Sequence, residues 1–246
     1  MRVYIQLKDG YFVNENAYCA YYGFNQLGYE IIPFIDTSWL RAMSLGRTKE
    51  DIVVGNIGVV VQSLLDIGIA PPPQLATPPE LEDFLGRKTG ESTLGEIRDA
   101  YESFSGLKSL PIFIKPKDHH KLFDGYVVKD FNGLIYTSPF PADTKVITSE
   151  VVNFISEYRG FVLNGELIGC KHYKGDFKIH PDYTVIHKAI DTIKKPLVAY
   201  SIDFGVTNQG ETFLIECNDS FSLGAYGIKP RLYVQMIKAR WEEMTK

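Results

Sequence analysis

Three oxygen-bearing side chains near the end of the chain are spaced as a cation site would need. Asp203 stands in the apolar run AYSIDF, and Glu216 and Asn218 stand two apart in TFLIECND. Residues i and i+2 of a strand project to one face. A tight turn at Asn208–Gly210 would return the second run alongside the first. Mg2+ takes oxygen ligands, usually one or two carboxylates completed by phosphates and water. A carboxylate set among apolar residues needs a partner or a metal, because burying it alone is costly. The plainer alternative is a solvated hairpin with its polar residues outside.

Two further groups carry possible phosphate chemistry. Lys115 ends the compact strand PIFIKP and is followed by the polar loop 117–125. A lysine fixed on a rigid strand suits a phosphate; an ordinary surface lysine at a strand end is the alternative. His119 and His120 in that loop are adjacent and diverge, so they read as solvated residues over the loop rather than a metal pair. In SEYRGFV, Glu157 and Arg159 are again two apart, either a same-face ion pair or a ribose acceptor beside an anion-binding cation. Lys171 and Lys174 on the returning strand add positive charge near them. Tyr226, Lys229 and Arg231 read either as surface and cap residues or as side chains that hold a substrate.

The elements that must position these residues follow from periodicity and punctuation. Residues 2–7, 30–35 and 51–54 read as strands, with a helix from Asn14 or Asn16 to about Leu27, ended by Gly28. A second helix runs through Leu65 and closes at Gly68. The β-α-β-β-α order predicts a small Rossmann-like lobe. The proline-rich 70–79 breaks the chain. A short helix is expected over 79–85, another over 94–103 ending near Gly106, and strands over 111–116 and 126–129. Asn164-Gly165 between alternating segments predicts a long hairpin over 151–172. A helix over 181–193, the hairpin 199–217 and an amphipathic helix over 230–244 complete the chain.

Composition narrows the class. The 246 residues are 45% hydrophobic and 23% charged, as in an ordinary globular protein. A net charge of −4 argues against a broad nucleic-acid surface, which needs a basic stripe. Cys19, Cys170 and Cys217 are widely separated and odd in number, which fits a reducing cytoplasm. Neither a signal peptide nor a membrane-spanning run is read. The first strand is followed by KDGYFVNENAY without G-x-G-x-x-G, which excludes a dinucleotide fingerprint there.

The ordered motifs PIFIKP, EYRGFVLNGELIG and IDFGV…GETFLIECND together resemble the ATP-grasp superfamily, and most of all the small R2K-clade proteins. The resemblance spans roughly 80–230 through its motifs. It implies an α+β ATP-grasp fold in which two lobes grip ATP, preceded by a pre-ATP-grasp lobe over 1–75. The nucleotide-binding subdomain would cover about 85–150 and the metal-binding subdomain about 151–246. By the same resemblance Lys115, and Arg87 or Lys88 in LGRK, contact ATP phosphates, and backbone groups at Phe154 and Ile155 meet adenine. Glu157 takes the ribose, Asp203, Glu216 and Asn218 hold Mg2+, and Arg159 and Lys171 line the γ-phosphate or the acyl-acceptor side. The loop after Lys115 departs from the family in lacking a glycine-rich run, and Asn153 stands where relatives often carry an acid. The implied activity is ATP-dependent joining of a carboxylate to an amine through an acylphosphate, on an amino acid, peptide or protein. An ATP-binding module without ligase activity and a hydroxyl kinase on the same scaffold stay open as alternatives. Cys170 and Cys217 are read as packing residues, since this chemistry needs no covalent nucleophile.

Overall fold

The computed structural model describes residues 2–43, 46–102, 110–118 and 122–246. His119, His120, Gly106 and the expected end of a helix at Ser103 lie outside the described residues. The chain divides into two compact units, Met1–Phe84 with Phe154–Lys246, and Leu85–Asn153.

The first unit begins with strand β1 (Arg2–Lys8), flanked in parallel by β3 (Glu30–Phe34) and β4 (Ile52–Val54), with the two-residue β2 (Tyr11–Phe12) antiparallel to its end. Val3, Tyr4 and Ile5 are all buried, as expected of a central strand covered on both faces. Helix α1 (Glu15–Gln26) starts where the Asn14 side chain accepts the Ala17 amide at 3.0 Å. Gly28 and Gly68 follow α1 and α3 (Ile57–Asp66) at φ 76° and 75°, the left-handed conformation that ends helices. Helix α2 (Thr37–Met43) adds to the expected elements between β3 and β4; its seven residues are too few to show a helical period in the sequence.

The second unit is a four-stranded antiparallel sheet. It contains β5 (Thr89–Thr93), β6 (Ile112–Pro116), β7 (Tyr126–Val128) and β8 (Lys145–Ser149) in the order β5-β8-β6-β7. Helix α4 (Leu94–Glu102) opens with a reciprocal cap. The Thr93 hydroxyl accepts the Glu96 amide at 3.2 Å and the Glu96 carboxylate accepts the Thr93 amide at 2.8 Å. Helix α5 (Phe131–Ile135) is capped by Asp130. Leu94, Ile114, Val128, Leu134 and Val146 form this unit's core. Strands β5 and β8 carry no clear sequence signal, because TGEST and KVITS lack a strong apolar alternation.

The chain returns to the first unit with β9 (Phe154–Leu163) and β10 (Glu166–Gly175). Their turn residues Asn164 and Gly165 have φ of 52° and 79°, both positive as a two-residue hairpin of type I′ requires. After α6 (Tyr183–Thr192) come β11 (Ala199–Thr207) and β12 (Thr212–Asp219), and the sheet order is β10-β9-β11-β12. Every residue of β11 is buried. Helix α7 (Pro230–Thr245) packs on α1 and β11. Gly23 permits the α1 contact: a Cβ there would lie 2.4 Å from the Pro230 carbonyl oxygen. Trp241, Tyr233 and Met236 of α7 join Val3, Ile5 and Phe24 to Phe161, Phe221 and Leu223 in one core. Among the described residues no helix is long and apolar enough to cross a membrane.

Candidate active site

The four strands of the second sheet place charges in a row. Lys171 of β10 lies opposite Arg159 of β9, Arg159 opposite Asp203 of β11, and Asp203 opposite Glu216 of β12. Directly opposed residues share a face. The row therefore runs plus, plus, minus, minus across one side of the sheet. Asn218, two residues beyond Glu216, stands on that side with its amide donating to Glu216 Oε1 at 3.0 Å. The three oxygen-bearing residues named from the sequence thus come together on one face.

Arg159 and Asp203 form a buried bidentate pair. Arg159 Nε donates to Asp203 Oδ1 at 2.8 Å and Nη2 to Oδ2 at 2.6 Å, with the residues 7% and 1% exposed. Burial pushes the Asp203 carboxyl up to about 6 against the downward pull of Arg159, with Glu216 and Glu157 adding to the rise. Burial also works against the Arg159 charge, but its bonds to Asp203 more than reverse it, so the guanidinium sits above its ordinary value. The raised acid favours a proton on Asp203, whereas the raised guanidinium favours the ion pair. Geometry decides for the ion pair at neutral pH, because both carboxylate oxygens accept N–H donors at charge-assisted distances.

Glu157, on the same face of β9, is buried and accepts from Lys174 Nζ at 2.6 Å. That lysine side chain is 69% exposed, so releasing Glu157 to another donor costs little. Phe154 is the first residue after the chain crosses from the second unit. Its ring lies close against Gly205, where an added Cβ would meet the ring at 2.2 Å. The carbonyl of Ile155 next to it accepts the Asp176 amide at 2.9 Å.

In the other unit, Lys115 sits half-buried on β6 opposite Ile147, on the sheet face away from the Ile114 core side. Gly125 packs close by, with an imagined Cβ 3.1 Å from the Lys115 Cβ. Arg87 is tied to this unit by bonds from Nε to the Ser149 hydroxyl at 3.0 Å and from Nη1 to the Leu85 carbonyl at 2.9 Å. Lys88 donates its backbone amide to Glu150 at 2.9 Å.

Asp203, Glu216 and Asn218 offer oxygen donors only, the set a hard divalent cation prefers, so their chemistry fits Mg2+. Among the described residues no group of three His, Cys, Asp or Glu side chains is arranged to hold a metal; the expected set has an amide as its third member. The cysteines are free, and burial pushes the Cys19 and Cys170 thiols up to about 11, away from a nucleophilic thiolate.

Residues 84–236 match the family described as ATP-grasp domain, R2K clade family 2. The chain belongs to that family. No curated protein sequence matches this ATP-grasp chain. Among solved structures, D-alanine–D-alanine ligase from Bacillus anthracis complexed with ATP is similar at TM-score 0.52 and 16% identity, over 100% of this chain and 98% of that one. VanG D-Ala:D-Ser ligase from Enterococcus faecalis is similar at TM-score 0.56 and 15% identity, over 98% and 99%. N5-carboxyaminoimidazole synthetase from Staphylococcus aureus is similar at TM-score 0.58 and 10% identity, over 97% and 77%. These likenesses show the ATP-grasp fold expected from the motifs.

One residue on the site face went unnamed in the sequence. Tyr173 stacks on Tyr226, which in turn covers Arg159. Alternation from Lys171 would have pointed to it, but the register shift between His172 and Lys174 breaks the simple count.

Proposed function

We propose that this ATP-grasp chain is an ATP-dependent carboxylate–amine ligase working through an acylphosphate. The row Lys171, Arg159, Asp203 and Glu216, completed by Asn218, carries the reading, because it sets cations beside oxygen donors on one face. Phosphoryl transfer needs that combination more than it needs a nucleophilic side chain. The naming of two similar structures as ligases supports the same class.

In this reading Asp203, Glu216 and Asn218 hold Mg2+, which when bound neutralises charge on the phosphate oxygens. Lys115 and Arg87 bind ATP phosphates, Phe154 and Ile155 contact adenine, and Glu157 exchanges Lys174 for the ribose hydroxyls. A substrate carboxylate oxygen attacks the γ-phosphorus, the bond to the bridging oxygen breaks, and ADP leaves with that electron pair. Arg159 and Lys171 offset the charge on the transferred group. The amine nitrogen then attacks the acyl carbon, phosphate departs, and the extra proton on nitrogen is lost to solvent. Candidate substrates are amino acids, peptides or a protein carboxylate with an amine acceptor.

The test is ADP release with Mg-ATP and a panel of amino acids and peptides, read by mass spectrometry. The expected product has the mass of both substrates less one water. A stable phosphorylated substrate without that product would assign a kinase instead. ADP release that no acceptor changes would leave only an ATP-binding module.

A further inference from the structure

The Arg159 guanidinium is held on several sides. Its Nε and Nη2 grip Asp203 at 2.8 and 2.6 Å. The Tyr226 ring lies over it, 4.8 Å from Cζ to the centroid. Tyr173 backs that ring, stacked at 5.0 Å and 20°. Beside Nη1 runs the Gly224 backbone, where an added Cβ would lie 3.2 Å from both Nη1 and the Tyr226 ring.

The backbone that presents Tyr226 is unusual. Tyr226 has φ 43°, a conformation that bulky residues rarely adopt, and Gly227 follows at φ 73°. Such geometry persists where the surroundings over-determine it. Here the Ala225 amide donates to Asn16 Oδ1 at 2.8 Å and the Gly227 amide to Glu15 Oε1 at 3.0 Å, both in the first turn of α1. The Tyr233 hydroxyl donates to the Leu223 carbonyl at 2.6 Å, and the Ile228 amide closes back on Ala225 at 2.9 Å. Tyr226 remains 40% exposed, so this anchoring is not explained by burial of the ring in the core.

We propose that Tyr226 is a positioning residue for Arg159, backed by Tyr173 and braced by the first turn of α1. A cation over an aromatic face is attracted to it, most strongly where water is excluded. Asp203 takes two of the five guanidinium N–H groups, and the ring fixes the plane in which the other three lie. Those three are the donors that meet the transferred phosphoryl group. This consequence rests on the ligase reading, whereas the restraint on Arg159 does not.

Tyr226→Asn removes the ring while keeping a residue tolerant of positive φ, and Tyr226→Phe keeps the ring. The Arg159 Nε–Hε resonance, assigned by its loss in Arg159→Lys, reports the restraint in the intact protein without ligand. In Tyr226→Asn its exchange with water should rise about tenfold and its ring-current shift should vanish. Tyr226→Phe should retain both, and Tyr173→Leu, at an ordinary backbone position, should change them in the same direction but less. An unchanged shift and exchange rate in Tyr226→Asn would overturn the proposal, as would a failure of Tyr226→Phe to retain them. Acceptor-dependent ADP release adds a second reading: kcat should fall about tenfold in Tyr226→Asn with KM for ATP nearly constant, and recover in Tyr226→Phe. No ADP release in wild type, with the resonance behaving as expected, would defeat the ligase reading and leave the restraint standing. Equal kcat in wild type and Tyr226→Asn would refute its role in turnover.

Discussion

Replacing Arg159 by methionine strands the Asp203 carboxylate where water is almost excluded, since the pair is 7% and 1% exposed. At a charge separation of about 4 Å and an effective dielectric of about 20, the lost attraction is about 4 kcal/mol. Measured losses on breaking a buried pair fall at about 3–5 kcal/mol. At about 2–4 °C per kcal/mol for a chain of this size, Arg159→Met should melt roughly 8–16 °C lower. Asp203→Asn should cost less, about 2–3 kcal/mol, because the amide oxygen still accepts one N–H. The double variant removes both charges, so its loss should undercut the sum of the single losses by about 2 kcal/mol. Urea unfolding in EDTA at low and high salt gives all four corners of the cycle, and salt should matter little to a pair this buried. The pH dependence has a fixed sign. Asp203 rises from 3.8 to about 6 on folding, so its contribution is fully present below 3.8 and is lost as pH rises through about 6. Without Arg159 the carboxyl rises further, so the Arg159→Met deficit should shrink as the buffer is acidified. A coupling below about 0.5 kcal/mol would refute the paired, charged state.

Other outcomes follow from residues with different burdens. Glu216→Ala touches a half-buried position outside the Arg159 pair, so it should abolish ADP release with only a small change in melting temperature; wild-type turnover would remove it from the site. Lys115→Ala should weaken ATP binding about tenfold by calorimetry, and unchanged affinity would end its phosphate role. Burial pushes the Asp51 carboxyl up, but the bonds from Arg2 and Thr48 outweigh it and leave the group below its ordinary value. Its stabilisation is therefore present above 3.8 and lost as pH falls. Asp51→Asn should cost about 1–3 kcal/mol at pH 7 and flatten the acid limb of the melting curve; an unaltered limb would contradict the assignment.

Local chemistry was legible in the residues themselves. Asn14 caps α1, Asn164-Gly165 turns the β9–β10 hairpin, and the i, i+2 spacing of Glu216 and Asn218 puts both on one face, because each depends on neighbours within a few positions. Strand β5 and helix α5 were not legible, since TGEST and FNGLI gain their form from pairing and capping rather than from their own apolar pattern. Likewise, Glu157 and Arg159 were open to an ion pair with each other, yet each found its partner on another strand, Lys174 and Asp203. Residue type and spacing along a strand were enough to indicate the kind of chemistry, because they set which side chains can share a face. The row across four strands, the union of residues 1–84 with 154–246, and the Tyr226 ring over Arg159 emerge from the folded chain alone. They depend on strand register and on close backbone approaches between residues far apart in the chain, which no local spacing encodes.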